Sequence, residues 1–340
     1  SLRMSRFLWA MLTFISDLVL FLVIFALILR AVAWYLREYQ DKLLYFPALP
    51  PNATESVPRP SEWGLKSWEE LKIIAADKTT LHAYFIRQEE DWQEAVTILY
   101  FHGNAGNIGH RIPLALAIYR TAGVNIVLVE YRGYGLSGGV PTEAGLKLDA
   151  EAALEYVHTH LDIDKKKIVL MGTSLGGAVV INLAAQATLP IAGVIVENTF
   201  TSISDMVDVL WVQYLKSKMR ALTYRILTPI FGNCLKPIVL QIGWNSIQHI
   251  YKITVPILFL SGKKDELIPP VQMHRLYNGA IQSERKQFVP LPNGTHNDTW
   301  CCERYFDAIY AFLENNVLQK EDPKCPPLDD DHTLMDTDLV

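Results

Sequence analysis

The sequence predicts an α/β protein, a mostly parallel central sheet with helices on both faces. Three observations predict it. Apolar runs of strand length alternate with stretches of helical spacing, which is how parallel strands are joined by crossover helices. The runs "AVTILYF" and "IVLMG" are almost wholly apolar, as strands are when both faces of their sheet are covered. One of them ends in "GTSLGG", a serine among glycines where a helical pattern begins.

The elements follow in chain order. Residues 7–29 form an apolar run with one charge, Asp17. A central Asp costs about 2.5–3.5 kcal/mol on insertion, while each Leu, Ile, Phe or Val returns roughly 0.3–0.6. The 16 such residues in the run together return about 5–10 kcal/mol, so insertion wins. A cleaved leader is the rival reading. The run is too long for one, and bulky Trp34, Tyr35 and Leu36 follow it instead of a small-residue cleavage site. Residues 1–37 are therefore expected to be an uncleaved single-pass membrane anchor. Arg3 and Arg6 on one side, with Arg30, Arg37 and Lys42 on the other, leave the charge rule undecided. Three glycosylation sequons, at Asn52 (NAT), Asn293 (NGT) and Asn297 (NDT), favour the type II arrangement, with the domain lumenal or extracellular.

Residues 38–70 carry five prolines between Pro47 and Pro60 and no period, and are expected to be a semi-rigid linker. The domain then spans 71–318. "LKIIAAD" and "LHAYFIR" read as two strands about a turn at 78–80. After "AVTILYF" come a helix near 112–121, the strand "VNIVLVE", a helix over 144–160, "KIVLMG", a helix over 175–187 and "IAGVIVE". Beyond lie "VPILFLSG", a helix over 270–279, "RKQFVPLP" and a helix over 303–316. An insert at 201–255 breaks the rhythm. It is rich in Trp, Tyr, Leu and Ile, and reads either as extra helices on the core or as a lid. Its basic residues Lys216, Lys218, Arg220 and Arg225 read as a solvated face, with a membrane surface as the alternative. Residues 319–340, acidic and proline-containing, are expected to be disordered.

With 340 residues, 50% hydrophobic and a net charge of −5, the chain can bury one large core. It shows no electrostatic footprint for nucleic acid. Cys234, Cys301, Cys302 and Cys325 match neither a disulfide framework nor a zinc site. They read as free thiols, with Cys234 paired to Cys301 or Cys302 as the alternative in an oxidising lumen. No metal is called for.

Gly172-Thr173-Ser174-Leu175-Gly176 fits G-x-S-x-G at a strand-to-helix junction. The sharp turn lifts the serine above the sheet, and flanking glycines remove the collisions that side chains would cause. A serine hydroxyl needs a base to become a nucleophile. In folds with this elbow the order is Ser, acid, His. Asp265 follows the strand "VPILFLSG", and His296 sits in a loop after the last strand, both at carboxyl ends where open α/β sheets keep their sites. The assignment is Ser174 as nucleophile, His296 as general base then acid, and Asp265 orienting the imidazole. Glu197, at the end of "GVIVE", is the alternative acid. Asp298 reads as a turn residue, and His158 and His160 as helix-surface residues. The oxyanion donors are expected to be the N–H groups of Leu175, opening a helix, and of Asn104, in the loop "LYFHGNAGNIGH". Gly133 to Gly138 match G-x-G-x-x-G, but the acid that a dinucleotide site wants some 20 residues on would fall inside a helix. These glycines read as a tight turn, and no cofactor is called for.

"YFHGNAGNIGHR", "YRGYG", "GTSLGGAV", "VENTF", "DELIPP" and "GTHNDTW", with "LLYFP" upstream, together resemble the family of alpha/beta-hydrolase domain-containing protein 13, membrane-anchored serine hydrolases. The similarity covers residues 40–316. It implies an alpha/beta-hydrolase fold, a triad at Ser174, Asp265 and His296, a signal anchor and a glycoprotein; the stretch 216–237 departs from the family pattern. Related hydrolases with a similar His-Gly-Asn-Ala loop remove palmitoyl groups from proteins. The expected substrate is thus a carboxylic ester or thioester, with acyl-protein thioesterase as the narrower form. The alternatives are a serine peptidase of the same fold and a non-catalytic membrane-tethered binding protein.

Overall fold

A computed structural model describes residues 2–218, 228–229 and 231–318. Its sheet has eight strands: β1 (Trp68–Ile74), β2 (Thr80–Ile86), β3 (Thr97–Phe101), β4 (Asn125–Val129), β5 (Ile168–Thr173), β6 (Gly193–Glu197), β7 (Ile257–Gly262) and β8 (Lys286–Leu291). Their spatial order is β1-β2-β4-β3-β5-β6-β7-β8. β1 pairs antiparallel with β2, and β2 with β4; every later pairing is parallel. Strands β3, β4 and β6 are buried at every position, which is why they read as largely apolar runs.

Successive residues of these strands feed opposite faces. Leu99, Phe101, Val127 and Val129 join one core layer, under α4 (Glu143–Thr159), α5 (Leu175–Gln186) and the helix Pro270–Gly279. Ile98, Tyr100, Ile126 and Leu128 join the other, under α3 (Ile112–Ala122) and the helix Tyr305–Asn316. The fold is thus the three-layer arrangement expected.

Helix α1 (Leu2–Tyr39) has 38 residues, about 57 Å at 1.5 Å each. Its stretch Met11–Tyr39 is long and apolar enough to cross a membrane, and its apolar window is wholly unburied. A hydrocarbon core of about 30 Å is shorter than α1.

The stretch 38–70 differs from the expected linker. Its first two residues end α1, a helical turn α2 (Asp41–Leu44) follows, and Tyr45, Ala53, Pro60 and Leu65 are buried. An aperiodic segment can dock through single side chains and backbone hydrogen bonds, and periodicity does not register these. The insert contains α6 (Ile203–Lys218), the turns Lys236–Val239 and Ser246–His249, and Trp211 stacked on Phe231 at 4.2 Å. Arg220, Arg225 and the acidic tail lie outside the described residues. Cys301 and Cys302 are free thiols.

Candidate active site

The site grows from the end of β5. Ser174 follows it with φ +56° and ψ −119°, a conformation that costs a non-glycine residue about 1–3 kcal/mol. The glycines beside it are required by contact. A Cβ on Gly172 would lie 2.2 Å from the Gly176 carbonyl oxygen, and one on Gly176 would lie 2.0 Å from that of Phe101. The start of α5 thus passes directly against the end of β3. The elbow is held from the β6 side, where Ser174 N–H donates to the Glu197 carbonyl at 2.9 Å and the Thr199 hydroxyl donates to the Ser174 carbonyl at 2.7 Å.

Three distant side chains meet over this turn, and all are buried. His296 Nε2 lies 3.1 Å from Ser174 Oγ, and His296 Nδ1 lies 2.8 Å from Asp265 Oδ2. An ionised carboxylate only accepts, so Nδ1 is the donor there and Nε2 turns its lone pair to the serine hydroxyl. The other Asp265 oxygen accepts the N–H groups of Leu267 (2.9 Å) and Ile268 (2.8 Å), which fixes the carboxylate. Sequence reasoning missed the residue that holds the histidine loop. Asn198 (φ +43°) donates from Nδ2 to Thr299 Oγ1 (2.6 Å) and to the Thr295 carbonyl (3.1 Å), and accepts Gly262 N–H at 2.8 Å. The available signal was an Asn directly after a strand, a residue that tolerates positive φ.

Leu175 is buried and opens α5, so its N–H is one of the helix's unpaired donors. The loop after β3 lies against the serine, with a Cβ built on Gly103 only 3.7 Å from that of Ser174. Gly103 carbonyl pairs with His102 Nδ1 at 2.7 Å. Across a trans peptide N–H and C=O point opposite ways, which directs the Asn104 N–H away from the His102 ring. The Asn104 carbonyl is held by Phe46 N–H and Tyr134 hydroxyl, each at 2.9 Å. Of the turn glycines, Gly133 and Gly135 have positive φ, and a Cβ on Gly135 would strike Glu130 Oε2 at 2.2 Å.

Glu197 is not brought to His296. Its Oε2 accepts from Tyr305 hydroxyl (2.8 Å) and Thr173 hydroxyl (2.9 Å) below the elbow. Burial pushes its carboxyl above the usual range, with Tyr305 and Thr173 opposing. Such a carboxyl keeps its proton in the folded chain where the unfolded chain has lost it. Stability therefore falls as pH rises from about 4.5 through the raised value. Glu197→Gln is expected to remove that slope, seen as thermal midpoints that hold better than wild type from pH 4.5 upward. Its turnover is expected to stay within about tenfold of wild type, whereas Asp265→Asn falls about 10⁴-fold. The reverse ranking would exchange the two acids.

Asp298 is a turn residue whose Oδ1 accepts Thr295 N–H (2.7 Å) and hydroxyl (2.6 Å), bonds that hold its carboxyl below the usual range. His158 and His160 are half-buried at the surface: one contacts the Pro190 carbonyl at 2.8 Å, the other packs on Phe85 and Trp92. Asn52, Asn293 and Asn297 are exposed. Among the described residues no cluster of three or more His, Cys, Asp or Glu could hold a metal.

Residues 96–226 match the family model for the alpha/beta hydrolase fold. Among solved structures, the esterase Pf2001 of Pyrococcus furiosus superposes with a TM-score of 0.60 at 17% identity, over 77% of this chain and 95% of that one. An alpha-beta hydrolase from Vibrio vulnificus gives 0.58 at 19% identity, over 76% and 88%. These likenesses speak to the fold. Protein bem46 of Schizosaccharomyces pombe is 41% identical over 84% of this chain and 89% of its own length. The alpha/beta hydrolase domain-containing protein WAV2 of Arabidopsis thaliana is 37% identical over 84% and 91%. A membrane protein of Saccharomyces cerevisiae, YNL320W, is 36% identical over 82% and 90%. With a strained serine at an elbow between β5 and α5, and such relatives matched along nearly their whole length, the chain belongs to the alpha/beta hydrolase domain-containing family that includes bem46 and WAV2.

Proposed function

We propose that the chain is a membrane-anchored serine hydrolase that cleaves carboxylic esters or thioesters through Ser174, His296 and Asp265. The observation that carries this is the unbroken relay from Ser174 Oγ through His296 (3.1 Å, then 2.8 Å) to Asp265, under a serine whose backbone is strained to present it. His296 Nε2 takes the hydroxyl proton as Oγ attacks the acyl carbon. The carbonyl oxygen becomes an oxyanion received by the N–H groups of Leu175 and Asn104. Collapse expels the alcohol or thiol, which takes the proton from His296 and leaves an acyl-serine. Water then attacks that ester, its proton passing to His296 and on to Ser174 as the carboxylic acid leaves.

The narrower reading is an acyl-protein (palmitoyl) thioesterase of the alpha/beta-hydrolase domain-containing protein 13 type. The apolar insert and the His-Gly-Asn-Ala loop support it. A panel of palmitoyl thioesters, short esters and peptides, run against wild type and Ser174→Ala, tests the substrate class. Cleavage of peptides alone would move the assignment to a peptidase. Topology bears on the same question. The exposed sequons Asn52, Asn293 and Asn297 favour a lumenal or extracellular domain and a glycoprotein, whereas palmitoyl-cysteines lie on the cytosolic side. A gel shift on glycosidase treatment is the outcome expected of the type II arrangement, and it would count against cytosolic depalmitoylation.

A further inference from the structure

On leaving α1 at Tyr39 the chain does not run free. Gln40 Oε1 accepts the N–H groups of Gln241 (2.8 Å) and Ile242 (3.0 Å), in the insert. Tyr45 is buried, and its hydroxyl accepts from Trp244 Nε1 at 2.9 Å. Glu143, at the start of α4, accepts the N–H groups of Gly243 (2.7 Å) and Trp244 (3.2 Å), so that part of the insert is held from two sides. The next residues clasp the loop after β3. The Leu44 carbonyl accepts from Asn104 Nδ2 at 3.0 Å, and Phe46 N–H donates to the Asn104 carbonyl at 2.9 Å. Asn107, fully buried, donates from Nδ2 to the carbonyls of Ala53 (2.7 Å) and Ser56 (2.9 Å).

Tethering alone would need none of these bonds, since a flexible linker suffices. Their consequence is a short, fixed path from membrane to site. Tyr35 and Trp34 are exposed aromatics of the kind that sit at the bilayer interface. From Tyr35 the chain reaches Leu44 through the last turn of α1, one connecting residue and α2. That path spans at most about 18 Å, and Leu44 touches Asn104. About 5–8 Å of the path lies within the headgroup layer. Exposed apolar side chains lie along it, beside the exposed charges of Arg37, Glu38 and Lys42: Leu43 and Leu49 on the strap, and Ile238 in the turn that packs against α1, are all more than half exposed.

We propose that the strap 40–56 makes this a membrane-face site, one that acts in cis on acyl esters or thioesters whose chains lie in the same bilayer as α1. The strap holds the loop carrying Asn104 and fixes the height of the reacting centre, and its exposed apolar residues rest on the lipid surface. This rests on the hydrolase reading, and the test separates the two.

The full chain is reconstituted in phosphatidylcholine vesicles. A fluorogenic palmitoyl ester is supplied either in the same vesicles or in separate ones, with p-nitrophenyl butyrate in solution as the soluble probe. The palmitoyl ester is expected to be hydrolysed at least about tenfold faster in the same vesicles, the gain of a confined substrate, while butyrate turnover is the same in both. Placing about twenty Gly and Ser residues between Tyr39 and Gln40 leaves the strap in place but frees its height. Butyrate turnover should then be unchanged and the same-vesicle advantage lost. Equal palmitoyl rates in the two arrangements, or an advantage that survives the spacer, overturn the inference while butyrate turnover keeps the hydrolase reading. Failure to cleave either ester overturns both.

Discussion

Ser174→Ala should abolish turnover. Removing the nucleophile of a serine hydrolase costs on the order of 10⁶ in kcat, and among the described residues no other hydroxyl is hydrogen-bonded to His296 Nε2. Alanine in place of serine removes one buried oxygen and relieves no packing, so the fold should persist with an unchanged thermal midpoint. The measurement is labelling by a fluorophosphonate probe, with ester hydrolysis in parallel. Wild type should label and Ser174→Ala should not. Equal labelling of the two would place the reactive group elsewhere. A folded wild type that neither labels nor hydrolyses would leave only a binding role for the relay.

Gly176→Ala should cost stability. The added methyl would sit 2.0 Å from the Phe101 carbonyl oxygen, 2.6 Å from its carbon and 2.7 Å from the His102 carbonyl oxygen. All three atoms are backbone at the end of the central strand β3, so no rotamer change relieves the clash. The sheet edge or the start of α5 must move, at about 3–5 kcal/mol. For a domain of this size that lowers the thermal midpoint by roughly 6–20 °C. Gly138→Ala is the control, because its Cβ would meet nothing nearer than the Thr80 carbonyl at 3.6 Å and its φ is not positive. It should shift the midpoint by no more than about 2–4 °C. Two variants with the same small shift would mean that α5 does not pass β3 at the distance given.

The strands were legible because the inner ones are largely apolar runs and β1 alternates, each bounded by turn residues. Boundaries slipped by a few residues where side chains alone cannot mark an end, as at β1, which begins at Trp68 and not after 70. Ser174, Asp265 and His296 could be picked out because each follows a strand, and the carboxyl ends of parallel strands lie on one edge. Asn198 was not found, because its role consists of hydrogen bonds to a loop about 97 to 101 residues away. The histidines at 158 and 160 could be set aside by their helical surroundings, but not seen to be half-buried. The strap was read as a linker because proline content reports local stiffness and says nothing of what the freed backbone groups bond.

The sequence by itself determined the α/β class, the long apolar N-terminal helix, the elbow and the residue types that its chemistry needs. All of these are local: they rest on period, length and the conformational limits of glycine. Tertiary structure alone decided which acid meets the imidazole, and that Glu197 turns instead to Tyr305 and Thr173. It also decided that the chain leaving the N-terminal helix is bonded to the loop beside the serine. Those are contacts between residues tens to hundreds of positions apart, set by how the strands order themselves in the sheet, and no local pattern carries that distance.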